Sequence, residues 1–294
     1  MATTTKVLGQ NEGNDWVAYH GDCVDVVGGL SDDSIHYSVF SPPFASLYTY
    51  SASERDMGNC SNSEQFFEHV RHLYRELFRV TKPGRLCSQH CMLLPTSKAR
   101  DGYIGLADFR GDIIRAMAAE GWIHHSEVVI WKDPVTAMHR TKALGLLHKQ
   151  LKKDSAMSRQ GIPDYVVTFR KPGENPERVS HTDESYPVSE WQQVASPIWT
   201  DIDPNDTLQY QSAREHEDER HICPLQLEVI RRCLRLWTNE RDTVLSPFAG
   251  IGSEGHVALE MGRRFVGVEL KGSYYRQMVA NLQKAGKQLQ LWGT

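Results

Sequence analysis

The stretch Ser246-Pro247-Phe248-Ala249-Gly250-Ile251-Gly252 decides the fold that this sequence predicts. It follows a short apolar run at residues 243–245 and precedes a helical apolar pattern at residues 254–260. A strand, a glycine-rich turn and a helix, in this order, bring backbone N–H groups close to a ligand at the carboxyl edge of a parallel sheet. We therefore predict an α/β protein with a ligand site at this turn.

A second turn of the same kind lies near the other end of the chain, where Ser41-Pro42-Pro43-Phe44 follows the apolar run 35–40. Two consecutive prolines restrict the backbone and fix the direction of the Pro42 carbonyl. Strands that alternate with helices predict a mainly parallel sheet with helices on both faces. Apolar periodicity predicts further strands at 86–92, 128–131, 165–169 and 265–268, and helices at 63–80, 108–120, 224–237 and from 274 onward.

Together the two turns resemble the signature loops of DNA methyltransferases that act on exocyclic amines. The first resembles their (Asp/Asn/Ser)-Pro-Pro-(Tyr/Phe/Trp) catalytic loop, and the second resembles their Phe-x-Gly-x-Gly loop, which binds S-adenosylmethionine. The catalytic loop comes first, which is the circularly permuted order of the β class. The resemblance covers most of the chain and is strongest to phage and prophage enzymes. It implies a Rossmann-like methyltransferase fold, S-adenosylmethionine as cofactor and double-stranded DNA as partner.

Further segments extend the resemblance on the cofactor side. Gly21-Asp22-Cys23 resembles a Gly-Asp turn whose carboxylate approaches the adenine of the cofactor, and the segment from His221 to Gln226 resembles a variant of His-Pro-x-Gln-Lys-Pro. Glu269 ends the next predicted strand, where a carboxylate can accept both ribose hydroxyls. Ser246 replaces the usual Asp and offers a hydroxyl but no charge. The cofactor-binding residues implied are Asp22, Cys23, His221, Pro224, Gln226, Ser246, Pro247, Phe248, Ala249, Gly250, Gly252, Glu269 and Leu270.

The catalytic loop has to activate a poor nucleophile, because the lone pair of an exocyclic amine is delocalised into the base. The Ser41 hydroxyl and the Pro42 carbonyl can accept both amine hydrogens and make the nitrogen more tetrahedral. Phe44 would stack on a base that is swung out of the duplex. The resemblance thus implies Ser41, Pro42, Pro43 and Phe44 as the catalytic residues. A Ser in the first loop position leans toward cytosine N4, whereas the rest of the chain resembles adenine enzymes; we predict adenine N6, with cytosine N4 as the alternative.

Four other functions fit the sequence less well. Residues 250–255 also match the Gly-x-Gly-x-x-Gly pattern of dinucleotide-binding proteins, but only one further strand–helix pair follows them. Protein-glutamine methyltransferases use an Asn-Pro-Pro-Tyr loop, in the opposite order relative to the cofactor loop. Methylation of cytosine carbon 5 uses a Pro-Cys dipeptide, which this sequence lacks. A DNA-binding protein without catalytic activity would not need the motif residues retained here.

Composition limits the class of protein further. The 294 residues are 40% hydrophobic and 24% charged, which suits one large α/β domain with an insertion. No apolar stretch approaches the roughly 18 residues of a membrane span, and the first residues lack the apolar core of a signal peptide, so we expect a cytoplasmic location. Cys87 and Cys91, with His90 between them, lack a second ligand pair and are expected to be buried thiols; no metal site is predicted.

The chain divides into three predicted segments. Residues 15–131 form the catalytic half of the core, residues 132–220 contain a core strand near 165–169 and an insertion for target recognition or dimerisation, and residues 221–294 form the cofactor half. The net charge of −4 means that any DNA-binding surface must be local. Trp191 and Trp199 are candidates for a homodimer contact. The predicted DNA-binding residues are Arg140, Lys142, Lys149, Lys152, Lys153 and Arg159.

Overall fold

The computed structural model describes residues 7–43, 63–141, 144–209 and 224–292. Eleven strands lie in this part of the chain, and nine of them form one sheet. The nine are β1 (Val7–Gly13), β2 (Trp16–Gly21), β3 (Ile35–Phe40), β4 (Thr81–Met92), β7 (Ile123–Ile130), β8 (Asp164–Arg170), β9 (Ile198–Trp199), β10 (Thr243–Ser246) and β11 (Arg264–Glu269), while β5 (Leu94–Pro95) and β6 (Leu106–Ala107) form a separate pair.

The main sheet has the order β1-β2-β11-β10-β3-β4-β8-β7-β9. The five strands from β2 to β4 in this order are parallel neighbours. β8 runs antiparallel between β4 and β7, and β9 pairs in parallel with β7. The predicted mainly parallel, Rossmann-like sheet is therefore confirmed. One edge of this sheet collects the carboxyl ends of β2, β11, β10, β3, β4 and β7, together with the amino end of β8.

Helices cover both faces of the sheet, as predicted. The helices are α1 (Cys23–Gly28), α2 (Ser63–Val80), α3 (Lys98–Asp101), α4 (Phe109–Ala119), α5 (Pro134–Thr141), α6 (His148–Lys153), α7 (Val188–Val194), α8 (Leu227–Trp237), α9 (Ser253–Glu260) and α10 (Gly272–Trp292). One core contains buried side chains of α1, α2 and α4, and the other contains those of α8, α9 and α10. The apolar positions of α2 recur at helical spacing, so one stripe of this helix, including Leu73 and Leu77, is buried.

The elements differ from the sequence prediction at several places. The hairpin of β1 and β2 was not predicted, because β1 is polar, rich in glycine and mostly exposed at the sheet edge. Residues 172–209, predicted to be loop-like, contain α7 and β9. The helix predicted from residue 224 begins at Leu227, since the backbone of Gln226 is extended. In the described part of the chain, no helix combines the length and the hydropathy needed to cross a membrane.

Candidate active site

The glycine turn between β10 and α9 is held by its neighbours on both sides. Gly250 and Gly252 have φ values of 52° and 88°, a region that residues with a side chain rarely adopt. The Gly250 amide donates a hydrogen bond of 2.9 Å to Glu269 Oε2, at the end of the adjacent strand β11. The Asn281 side chain on α10 donates a 2.8 Å hydrogen bond to the Ile251 carbonyl. The shape of the turn is thus fixed by the protein itself.

The third glycine of the Gly-x-Gly-x-x-Gly pattern has a packing role. A Cβ atom at Gly255 would lie 2.5 Å from side-chain atoms of Leu282 and of Phe265. Only glycine therefore lets α9 approach β11 and α10 this closely. The match to the dinucleotide-binding pattern is explained by helix packing at this position.

The surroundings of the turn fit S-adenosylmethionine. A Cβ atom at Gly250 would meet no atom within 4 Å, so the turn is open on that side. Among the described residues, the buried hydroxyls of Ser246, Ser253 and Ser273 have no hydrogen-bond partner. The first turn of α9 directs backbone N–H groups toward the turn, which favours an anionic group such as the cofactor carboxylate. Open space, free hydroxyls and a helix N-terminus match the polar ends of this cofactor.

Two carboxylates flank the turn in different states. Glu269 already accepts hydrogen bonds from the Gly250 amide and, at 2.8 Å, from the Lys271 amide. Glu254, in the first turn of α9, is buried, and this burial raises its pKa to about 8, with a smaller contribution from the charge of Glu269. Glu254 was not predicted as a site residue, because its position in the motif carries no signal of burial.

The remaining cofactor candidates lie at the ends of neighbouring elements. Asp22 caps α1, because its Oδ1 accepts hydrogen bonds from the amides of Val24 (2.9 Å) and Asp25 (3.2 Å). Cys23 is buried, and burial raises the pKa of its thiol. The carbonyl of Leu270, just after β11, lies 3.0 Å from His20 Nε2. Pro224 and Gln226 precede α8, whereas His221 lies outside the described residues. Pro247 and Ala249 lie within the glycine turn.

The predicted catalytic loop begins beside the glycine turn. β3 and β10 are parallel neighbours, so the chain leaves both strands at the same edge of the sheet. The rings of Phe40, the last residue of β3, and Phe248, in the glycine turn, lie 5.8 Å apart between centroids. Ser41, Pro42 and Pro43 follow directly, and Phe44 lies outside the described residues. The structure thus brings the two predicted loops together.

Three further side chains form a series of contacts that begins at Ser41. Ser41 Oγ lies 3.1 Å from His90 Nδ1, on β4. His90 Nε2 lies 3.1 Å from Asp164 Oδ2, at the start of β8, and the same oxygen lies 2.6 Å from Lys132 Nζ. Burial alone would raise the pKa of Asp164, but His90 and Lys132 outweigh it and hold this pKa below its usual value. These partners were not predicted, because they lie far from Ser41 in the sequence.

A comparison with known proteins identifies the family. A profile of the DNA methylase family (N6_N4_Mtase) matches residues 35–280, which include both loops. The chain belongs to this family. The match confirms the predicted family, that of the DNA methylases.

Individual relatives of this DNA methylase are distant or match locally. It is 37% identical over 82 residues to the putative methylase YubD of Escherichia coli, which is 27% of this chain and 34% of YubD. It is 23% identical over 259 residues to the type II methyltransferase M.BglII of Bacillus subtilis, covering 87% of this chain and 66% of the relative. The chain therefore spans about a third of YubD and just under two thirds of M.BglII in these alignments.

Solved structures share the fold of the methylase over nearly its whole length. The putative DNA modification methylase TTHA0409 of Thermus thermophilus, complexed with S-adenosyl-L-methionine, has a TM-score of 0.66 at 22% identity and covers 91% of this chain and 94% of its own. The PvuII DNA methyltransferase, described as cytosine-N4-specific, has a TM-score of 0.67 at 14% identity, with coverage of 97% and 96%. Because the sequence identities are only 22% and 14%, these two structures show that the fold is shared and nothing more.

The cysteines flanking His90 in the methylase face away from it. Cys87 and Cys91 are buried in the core under α2, and burial raises the pKa of both thiols. His90 points to the other face of β4, because side chains alternate along a strand. The three residues therefore do not form a metal-binding set.

The predicted DNA-binding residues lie in the segment between β7 and β8. Lys149, Lys152 and Lys153 are exposed on α6. Arg159 is half-buried, and burial lowers the pKa of its guanidinium. Arg140 belongs to α5, but its side chain is not described, and Lys142 lies outside the described residues.

The two tryptophans proposed for a homodimer contact differ. Trp191 on α7 is 50% exposed, whereas Trp199 on β9 is 1% exposed and packs under the guanidinium of Arg232. Trp199 is therefore part of the core of the methylase and offers no surface to a partner. Trp191 alone remains a candidate.

A cluster of metal-ligand residue types lies at the opposite, amino edge of the sheet. His36, Glu177 and Asp242 have potential ligand atoms within 4.8 Å of one another. The Thr243 amide donates to His36 Nδ1 at 3.0 Å, so the ring hydrogen lies on Nε2, 2.8 Å from Glu177. Arg85 pairs with Asp242, and Lys82 pairs with Glu177. The two carboxylates of this cluster are thus paired with Arg85 and Lys82. Because His36 Nε2 carries the ring hydrogen, it has no lone pair with which to bind a metal ion.

Proposed function

We propose that this protein transfers a methyl group from S-adenosylmethionine to the N6 amine of adenine in double-stranded DNA. The observation that carries the proposal is the contact between Phe40 and Phe248, because it joins the catalytic loop to the cofactor turn at one edge of the sheet. A methyl acceptor bound at Ser41 would lie beside a cofactor bound at Gly250. Such an arrangement suits a reaction whose catalysis is mainly the positioning of two reactants.

The residues of the loop have distinct roles in this proposal. The Ser41 hydroxyl and the Pro42 carbonyl accept the two amine hydrogens and draw the nitrogen lone pair out of the ring plane. Phe44 stacks on the flipped base and holds its edge against these acceptors. When bound, S-adenosylmethionine supplies a methyl group on a positively charged sulfur. The hydrogen bond between Glu269 and the Gly250 amide keeps the cofactor turn in the shape that receives it.

DNA is proposed to bind through the segment 132–220, the predicted target-recognition insertion. Lys149, Lys152 and Lys153 are exposed on α6, in the segment that connects the carboxyl end of β7 to the amino end of β8. Phosphate contacts by such lysines supply affinity without sequence information. Trp191 is proposed as a contact between two copies of the chain.

The target base follows from sequence resemblance, which favours adenine. Cytosine N4 is the second candidate, and Ser41 is the observation that favours it. The test is to incubate the purified protein with duplex DNA and labelled S-adenosylmethionine, digest the product and identify the labelled nucleoside. N6-methyladenine is the expected result. N4-methylcytosine would establish the alternative, and 5-methylcytosine or the absence of transfer to any DNA would contradict the proposed function.

A further inference from the structure

Four side chains meet at the active-site edge because four strand ends meet there. The pairing of Phe40 with Gln89 places Ser41, the next residue, beside His90 on β4. Because β8 is antiparallel to β4, its first residue, Asp164, lies at the same edge. The pairing of Ile130 with Asp164 brings Lys132 to this carboxylate from β7. The sheet topology therefore builds the series Ser41, His90, Asp164 and Lys132.

The charges in this series set the positions of the hydrogens. A carboxylate 3.1 Å from His90 Nε2 favours a hydrogen on that nitrogen, which leaves the lone pair of Nδ1 facing the Ser41 hydroxyl. Ser41 then donates its own hydrogen to His90, and the lone pairs of Ser41 Oγ remain available to accept from an amine. The contact at Nε2 has the distance but not the angle of a hydrogen bond, a geometry that often tightens once substrate is bound.

We propose that His90 and Asp164 act as positioning residues behind Ser41 and form a relay that takes up the proton released by the methylated amine. This inference rests on the proposed function. The closest precedent in chemistry is the Ser–His–Asp triad, in which the carboxylate fixes the imidazole and stabilises its charged form. Here the serine carries a proton and attacks nothing.

The methyl transfer and the proton transfer conserve atoms and charge. The amine nitrogen forms a bond to the methyl carbon while the bond from that carbon to sulfur breaks, and the electron pair of the broken bond stays on sulfur. The nitrogen, now positively charged, gives one hydrogen to Ser41 Oγ. Ser41 passes its original hydrogen to His90 Nδ1, and the resulting imidazolium faces the Asp164 carboxylate. His90 and Lys132 hold the pKa of Asp164 below its usual value, so this carboxylate stays ionised. The proton returns to solvent after product release.

Burial distinguishes this series from a surface ion pair. His90 and Asp164 are 9% and 3% exposed. Asp164 Oδ1 has no hydrogen-bond partner among the described residues, so the carboxylate is not fully used by Lys132 and His90. Most buried polar side-chain atoms in folded proteins have a hydrogen-bond partner, so an exception calls for an explanation. A partly satisfied carboxylate is expected where charge has to change during a reaction.

The test compares His90→Asn with His90→Ala and Asp164→Asn. The Asn side chain can still accept the Ser41 hydrogen but cannot take up a proton. We expect His90→Asn to lower the single-turnover rate of methyl transfer to duplex DNA by about 100-fold, the lower end of the range of about 10²- to 10⁴-fold that general acid–base catalysis contributes. Affinity for S-adenosylmethionine should stay within about twofold. His36→Asn is the matched control, since it alters a buried histidine–carboxylate pair at the far edge and should leave the rate per folded molecule unchanged.

A double mutant separates the relay from a structural role. If His90 acts only through Ser41, adding His90→Asn to Ser41→Ala should cause no further loss of rate. Full additivity of the two losses, or an unchanged rate in His90→Asn alone, would overturn the relay.

A readout without DNA separates failure of the relay from failure of the proposed function. Nitrogen chemical shifts of the His90 ring in the cofactor-free protein should show hydrogen on Nε2 only, and both shifts should move in Ser41→Ala and in Asp164→Asn. Hydrogen on Nδ1 would overturn the relay, whatever the enzyme methylates.

Discussion

His36 on β3 and His90 on β4 occupy opposite edges of the same sheet, and each contacts a buried aspartate. At the amino edge every group of the His36 network has a partner: Thr243 donates to Nδ1, and Arg85 pairs with Asp242. At the carboxyl edge His90 contacts a serine hydroxyl and a carboxylate that keeps one unpaired oxygen. The same residue types thus stabilise the fold at one edge and leave groups available for chemistry at the other.

The largest expected effect concerns the amino edge. Arg85 is 2% exposed and pairs with the buried Asp242, so Arg85→Ala leaves that carboxylate without its partner. We expect the free energy of unfolding to fall by about 3–5 kcal/mol, as for other broken buried pairs. Urea denaturation measures it, with the exposed Arg115→Ala as control. A loss below 1 kcal/mol, or a lower transfer rate per folded molecule, would break the distinction between the two edges.

Ser41→Ala should show the opposite behaviour. The target amine loses an acceptor as its nitrogen becomes tetrahedral, so methyl transfer should fall by about 100-fold, typical for one preorganised hydrogen bond. The free energy of unfolding should change by less than about 0.5 kcal/mol, because Ser41 is only partly buried. Binding of S-adenosylmethionine should persist. Wild-type transfer in this variant would reduce the Ser-Pro-Pro stretch to a structural turn.

The variant Glu254→Gln tests whether a residue at the carboxyl edge lowers the stability of the protein. The pKa of Glu254 is raised from 4.5 to about 8, so between these pH values the folded chain holds a proton that the unfolded chain has lost. Stability must then fall as pH rises through this window. Glu254→Gln removes this dependence, so the stability of the variant relative to wild type should rise by about 3–4 kcal/mol from pH 5 to pH 8. Thermal melting curves of both proteins at pH 5 and pH 8 measure this difference. If the stabilities of the variant and of wild type changed equally between the two pH values, a raised pKa of Glu254 would be contradicted.

Glu269→Ala should weaken S-adenosylmethionine binding by about tenfold, or ~1.5 kcal/mol, since hydrogen bonds to a charged group are lost. Part of the loss would come from the Gly250 amide, which Glu269 fixes. Glu269→Gln keeps acceptor capacity and should lose less. Calorimetry on both folded variants provides the measurement, and unchanged affinity in the alanine variant would remove Glu269 from the cofactor site.

The smallest effect per residue is expected on DNA affinity, for the exposed lysines of α6. Replacing Lys149, Lys152 and Lys153 with alanine should weaken binding equally to all DNA sequences. The slope of log affinity against log salt should shrink by up to about 0.9 per lost phosphate contact. Unchanged slopes would indicate that α6 is simply a solvated helix. Replacing three acidic residues with alanine would not be a suitable control at Glu190, Glu228 and Asp201, because these residues pair with buried or half-buried arginines.

The sequence predicted those parts of the site that are local in the chain. Both loops follow short apolar strands and carry their own proline or glycine signature, so residues 41–43 and 246–252 were assigned before their contact was known. The partnership of His90 with Asp164 depends on the antiparallel insertion of β8 between β4 and β7, which no local pattern encodes. The β1 strand was missed for another reason: an exposed edge strand needs no alternation of apolar residues.

The strand order also has a consequence for how the protein is made. β2 and β3 are consecutive strands, but β11 and β10 lie between them in the sheet. A ribosome therefore releases both early strands with unpaired edges, and the strands that fill the gap emerge after the other described strands of the sheet. Open strand edges invite pairing with other chains. A nascent polypeptide that has not yet reached Thr243 has this gap in its sheet. The cell would have to shield the open strand edges until β10 and β11 were synthesised.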